Sequence, residues 1–235
     1  MRQWLFFDGK NSKDYGVYIS GRGTFGAPAR DQESISVAGR NGDLTLDNGR
    51  YKNIIVTYPA FIYRDFKNQI AAFRNHLFSG TSYRRLEDTY HPNEYRLAKY
   101  TGSFDPDVVA DLRAGEFELT FDCYPQRFLK SGEKTITFTS GGSIRNDWST
   151  VALPLVRAYG NGSVTINGIT ITISGADGYT DIDCDIQEAY KDTPATSRNS
   201  NITLSNGVFF SLTPGINTIS FTCSRVEITP RWWIL

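Results

Sequence analysis

The sequence predicts a mainly β protein built of two β-sandwich domains, the first of which carries a single α-helix. Three observations predict this. Apolar and polar residues alternate through most of the chain, the signature of half-buried strands. One segment, Arg64 to Ser79, breaks that period with a helical stripe. Composition then changes near residue 130. Residues 1–130 carry 18 basic and 16 acidic side chains, whereas residues 131–235 carry 7 and 9 and are richer in Ser, Thr and Ile. The polar stretch Lys130-Ser131-Gly132-Glu133 marks the expected boundary, giving domains 1–130 and 131–235.

In chain order, Asn41-Gly42 and Asp47-Asn48-Gly49 are two turn signals with only Asp43-Leu44-Thr45-Leu46 between them. So short a strand suits a projecting arm better than the centre of a sheet, with Leu44 and Leu46 on one face. In the helical segment Phe66, Ile70, Phe73 and Leu77 recur at intervals of four, three and four, and Gly80 is the expected C-terminal cap. Tyr83–Leu86 and Tyr95–Tyr100 read as strands around a turn at His91-Pro92-Asn93. Phe117, Leu119, Phe121 and Cys123 alternate toward Pro125, which ends a strand by withholding an amide donor.

Beyond the boundary, Lys134–Thr139 reads as a half-buried strand with Ile136 and Phe138 on one face. Val164 and Ile166, then Asn167-Gly168, then Ile169, Ile171 and Ile173 form a hairpin pattern, because Asn-Gly tolerates the positive φ angles of a tight turn. Val208–Leu212 and Asn217–Cys223 read as strands around Thr213-Pro214-Gly215, and Val226 and Ile228 begin one more.

The balance of 25 basic and 25 acidic residues argues against a DNA-coating protein, which needs a clustered positive excess. Cys123, Cys184 and Cys223 are odd in number, widely spaced and without metal-ligand spacing, which fits synthesis in a reducing cytoplasm. The apolar run in Met1–Asp8 is too short for a signal-peptide core, and no run approaches a membrane span.

Chemical signals are weak. Gly21-Arg22-Gly23-Thr24-Phe25-Gly26 has dinucleotide-loop glycine spacing, but Ala27-Pro28-Ala29 does not open the helix that such a loop requires. His76 and His91 have no nucleophile elbow or metalloprotease motif beside them and read as structural. Asp181, Asp183 and Asp185 alternate and read as a solvated strand face rather than a calcium site, with Ile182, Cys184 and Ile186 turned to the core. Arg84-Arg85 reads as a solvated strand end. We therefore expect no enzyme activity, no catalytic or metal-binding residues and no cofactor.

Several segments together resemble the siphophage distal tail family, often called Dit. They are Phe7-Asp8-Gly9 with Tyr15-Gly16-Val17, Gly39–Asp43 with Asp47–Tyr51, and Tyr83–Asp88 with Tyr95-Arg96. Cys123-Tyr124-Pro125-Gln126-Arg127-Phe128, Leu212–Asn217 and Pro230-Arg231-Trp232-Trp233 complete the set. The resemblance spans nearly the whole chain. It implies an N-terminal ring-forming β-sandwich with a helix and a galectin-like C-terminal β-sandwich. The implied role is a structural virion protein of the tail tip, made in the host cytoplasm. It would form a homo-hexameric ring joining the tail-tube (major tail) protein to the tail hub or tail-associated protein. A receptor-binding protein is a further implied partner. DNA would pass through the central opening without sequence-specific contact, and no membrane insertion is implied.

Under this resemblance Arg40, Asn41, Asp43, Leu44, Leu46 and Arg50 are the expected subunit-interface residues. Pro125, Arg127, Phe128, Trp232 and Trp233 are the expected domain-junction residues. The chain has no room for the carbohydrate-binding insertion that many family members carry. The alternative reading is a lectin-like adhesin for host glycans, with Tyr159, Tyr179 and Tyr190 as candidate stacking rings.

Overall fold

The computed structural model describes residues 2–21, 23–109 and 113–235. The chain divides between Arg127 and Phe128 into two compact units, with Leu235 counted with the first. Both are β-rich, and each has its own apolar cluster. The mainly β class, with one α-helix among the described residues, is what the alternation predicts.

In the N-terminal unit, strand Leu5–Phe7 lies between Lys10–Asn11 and Arg84–Asp88. The sheet continues through Glu94–Tyr100, Ala114–Cys123 and Ile54–Ile62 to Val17–Ile19. It then returns on itself: Gln3 bridges Ile19, whose amide donates to the Gln3 carbonyl at 2.9 Å. The two faces that enclose the core thus belong to one continuous sheet, and closure removes the free edges that an open sheet would expose. The longest pairing runs antiparallel from Gly115 opposite Ile62 to Cys123 opposite Ile54. Its inward residues, Val56, Tyr58, Ala60, Phe117, Leu119 and Phe121, are buried.

Helix α1 (Phe66–Leu77) buries Phe66, Phe73 and Leu77, the stripe that the sequence spacing predicts. Its end differs from expectation. The helix stops at Leu77 with Phe78 as the cap residue, and Gly80 does not adopt a positive φ. The reason is a side chain: Arg84 donates to the carbonyls of Leu77 at 3.2 Å and Gly80 at 3.4 Å. A guanidinium supplied from the next strand satisfies the orphan carbonyls that a left-handed glycine would otherwise serve.

The C-terminal unit is a two-sheet sandwich. One sheet runs Ile136–Phe138, Arg225–Thr229, Leu155–Tyr159, Tyr179–Asp183, Glu188–Lys191, Thr193–Ser197. The other runs Gly142–Asn146, Gly215–Phe221, Gly162–Ile166, Ile169–Ile173, Ile202–Leu204. Val156, Ala158, Val164, Ile166, Ile171, Ile182, Val226 and Ile228 are fully buried within it. The Asn167-Gly168 hairpin is present, with φ of 51° and 81° at its two turn residues.

One strand expectation fails, and another is met with its expected face only partly buried. Val208–Leu212 forms no strand; it is a loop tied by the Ala152–Leu212 bridge, and Phe210 and Leu212 are buried. Ile136–Phe138 is a strand, but it lies at a sheet edge and leaves Ile136 exposed. Alternation reports which residues face the core, not whether the backbone has a ladder partner.

Candidate assembly surfaces

The segment Arg30–Tyr51 leaves the N-terminal sheet as a two-stranded ribbon, Arg30–Ile35 paired only with Leu44–Tyr51. The second turn signal is not a turn. Asp47-Asn48-Gly49 lies inside the second strand as a bulge, with a register shift opposite Arg30–Gln32 and Gly49 at φ 71°. A glycine accommodates that left-handed angle without strain. Asp47 accepts the Gly49 amide at 2.8 Å and pairs with Arg30 at 2.9 Å. Asp31 takes Arg50 at 2.7 Å and Lys52 at 3.5 Å, and Arg50 holds its carboxyl below the usual carboxylate range. Sequence reading cut the strand at Asp47 because a bulge and a turn draw on the same residue types.

The ribbon carries an apolar face with no cover. Ile35 lies opposite Leu44 and Glu33 opposite Leu46. Ile35, Val37, Leu44 and Leu46 are 47%, 40%, 41% and 50% exposed. Arg40, Asn41, Asp43 and Arg50 are exposed on the same ribbon.

The root of the ribbon is fixed by a buried polar network in the N-terminal unit. Arg127, 7% exposed, donates to Glu94 at 3.2 Å and to the carbonyls of Thr24 and Gly26. Between those carbonyls Phe25 meets the His91 ring edge-on at 4.9 Å. Asp88 accepts the Tyr58 hydroxyl and the His91 amide, each at 2.8 Å. Arg96 is buried beside them, and its Nη1 has no hydrogen-bond partner among the described residues. Burial first, then the like charge of Arg127, lowers its pKa.

Of the other expected junction residues, Pro125 and Phe128 are half-buried. Trp232 is buried in the C-terminal core, and its carbonyl accepts the Leu129 amide at 2.8 Å. The Trp233 indole donates to the Val151 carbonyl at 2.9 Å.

Several sequence readings change. Asp181 and Asp183 do not form a solvated face; they are 1% and 5% exposed. Arg157 grips both oxygens of Asp181 at 2.6 and 2.9 Å, and Arg231 grips Asp183 at 2.6 and 2.8 Å. Strand residues on both faces are buried here, because the outward face is covered by these arginines and by Tyr190, whose hydroxyl also reaches Asp183. Asp185 is exposed, and so is Ile186, which was expected in the core. Arg84 is not a solvated strand end: besides serving α1 it pairs with Asp8 at 3.0 Å and lies 4.4 Å from the Phe7 ring centroid. No spacing in the sequence announces either role.

His76 contacts the Phe7 carbonyl at 2.8 Å and stacks on Tyr15. Gly21 and Gly23 sit in an irregular loop; Arg22 between them lies outside the described residues. All three cysteines are free and buried, and burial pushes the Cys123 and Cys184 thiols up to about 12. Tyr159 and Tyr179 are covered by cations, with Arg225 3.8 Å from the Tyr159 centroid and Arg157 4.2 Å from that of Tyr179. No cluster of three metal-ligating side chains is present among the described residues, and no helix among them is long and apolar enough to cross a membrane.

Residues 10–123, which include the closed sheet's long strands and the ribbon, match the family model of the phage tail protein RIFT-related domain. These residues therefore carry a phage tail RIFT-related domain. Over its whole length the fold is similar to that of the SPP1 distal tail protein, described as a paradigm of the hub adsorption apparatus in phages infecting Gram-positive bacteria. That likeness has a TM-score of 0.73 at 14% identity and covers 99% of each chain. A component of the phage p2 baseplate, solved in its activated conformation with strontium, is also similar, with a TM-score of 0.52, 9% identity and 97% of each chain covered. No curated protein matches the sequence.

Proposed function

We propose that this protein is a siphophage distal tail protein, a structural component of the tail tip, and that it forms a homo-hexameric ring joining the tail tube to the tail hub and baseplate, with DNA passing through its central opening. The uncovered apolar face of the Arg30–Tyr51 ribbon carries this reading. A two-stranded ribbon is marginal in water by itself, and a neighbouring subunit that covers Ile35, Leu44 and Leu46 supplies the missing burial. A closed ring needs such a head-to-tail contact, in which one patch meets a different patch on the next copy. Arg40, Asn41, Asp43 and Arg50 flank the apolar residues and form the polar rim.

The tail-tube protein, the tail hub protein and a receptor-binding protein are the proposed further partners. The near-neutral chain suits a conduit, since strong phosphate binding would retard a passing genome. The C-terminal sandwich is proposed as the galectin-like module, acting in assembly rather than in sugar binding or catalysis. The cations stacked on Tyr159 and Tyr179 occupy ring faces that a glycan would need.

The test is Leu44→Ser with Leu46→Ser. Each buried leucine is worth about 2 kcal/mol per junction. Light scattering coupled to size exclusion should show a hexamer for the wild type and smaller species for the variant, while the melting of the subunit changes little. A monomeric wild type, or a hexamer that survives both substitutions, defeats the proposal.

A further inference from the structure

We propose that a groove on the outer face of the N-terminal sheet is the seat for the ribbon turn of a second copy, with Arg40 of that copy as the cation that enters it. The proposal rests on the reading of the ribbon as an intersubunit arm and adds the patch that the arm meets. The groove, of about 480 Å³, lies over strands Ile54–Ile62 and Ala114–Cys123 and the short strand Asp107–Val109 beside them. Pro59 and Phe61 line it together with Asp105, Asp107, Glu116 and Glu118. All four carboxylates are exposed, and none has an ion pair or a side-chain hydrogen bond among the described residues. Glu116 stands directly opposite Asp107 in the strand register, and Glu118 is the next residue along the same face. Like charges opposed across two strands destabilise a sheet. The subunit alone therefore bears a repulsion that a cation from outside relieves.

The ribbon turn fits this groove in charge and in reach. Arg40 is the single charge in residues 36–42, is exposed, and has no side-chain partner among the described residues. The other ribbon arginines are engaged within the arm, Arg30 by Asp47 and Arg50 by Asp31. Val37, exposed just ahead of the turn, offers an apolar contact for Pro59 and Phe61. A strand rises about 3.3 Å per residue, so Arg30–Ile35 carries the turn roughly 15 Å clear of the ribbon's root. No ribbon residue lines the groove, which leaves it open to another copy. A metal ion is the poorer occupant, because no three metal-ligating side chains converge among the described residues. A seat distinct from the arm is what head-to-tail closure requires.

The experiment is a charge exchange in the full chain. Arg40→Glu, and separately Glu116→Arg with Glu118→Arg, should each turn the hexamer into smaller species in light scattering. Combining all three substitutions should restore the hexamer. Circular dichroism first establishes that each variant is folded. Asn41→Cys with Ser103→Cys, which keeps every charge, places one thiol on the turn and one on the groove's lining. Treated with oxidised glutathione, it should give a ladder of covalent oligomers up to six chains on a non-reducing gel, the three native thiols being buried. If a charge variant fails to fold, the ladder decides alone. An absent ladder, or an exchange that does not restore the hexamer, overturns the seat. A hexamer that survives both charge reversals but is lost in Leu44→Ser with Leu46→Ser overturns the seat and leaves the ring reading in place. A monomeric wild type defeats the ring reading, and this proposal with it.

Discussion

Arg84 shows how much one side chain can carry. Its guanidinium closes α1, pairs with Asp8, accepts company from the Phe7 ring and donates to Ser79 at 2.8 Å. Arg84→Met keeps the apolar stem but abandons the Leu77 and Gly80 carbonyls. Hydrogen bonds to charged groups contribute about 1.5–3 kcal/mol, so we expect the variant to lose about 2–3 kcal/mol, read as a lower urea midpoint. Asp183 makes a comparable claim in the C-terminal unit. Burial by itself would raise its pKa, but hydrogen bonds and charge from Arg231 outweigh burial and hold it below the ordinary 3.8. A depressed carboxylate adds stability that is complete above its unfolded pKa and is lost as pH falls through the folded value. Asp183→Asn should therefore melt well below the wild type at neutral pH, and the gap should narrow as pH drops below 3.8. A gap independent of pH would show that the Arg231 pair contributes packing and not charge. Neither arginine role was legible beforehand, because each joins residues distant in sequence and no local pattern encodes the partner.

Among the elements, the hairpin at Asn167-Gly168 was the most legible, since two positive φ angles in succession restrict the residue types sharply. Gly168→Ala places a Cβ on a residue at φ 81° with open space around it, so the cost is backbone strain alone. We expect about 1–2 kcal/mol of destabilisation by thermal melting, without change of fold. Tertiary bonds fix the same turn: Asn167 donates to Asn217 Oδ1 at 2.6 Å and accepts the Thr218 amide at 3.0 Å. Helix α1 was legible in its buried face and misread at its end, because the capping group comes from another strand. The ribbon was legible as an exposed arm, yet its second strand is twice as long as the segment between the turn signals suggested, since Gly49 serves a bulge.

At the scale of the whole molecule, two separate apolar clusters stand on either side of the Arg127–Phe128 division. Clusters that share no buried residue melt as separate cooperative units unless an interface couples them. We expect two transitions in calorimetry, and a fragment beginning at Phe128 that gives a β-rich circular dichroism spectrum without the N-terminal half. A single transition with an unfolded fragment would show that the two units fold as one.

The sequence by itself determined the β class, the amphipathic helix, the Asn-Gly hairpin and the exposed leucines of the arm. Each depends on a short-range period or on the φ range that one residue can adopt. Only the tertiary structure decided that the N-terminal sheet closes through Gln3 and Ile19, and that Val208–Leu212 packs without a ladder. It also decided that Asp181 and Asp183 are buried against Arg157 and Arg231, and that Arg127 and Arg96 meet at the arm's root. These depend on which distant groups come within a few ångströms of each other. Periodicity records the side that a residue faces, but the partner waiting on that side is set by packing.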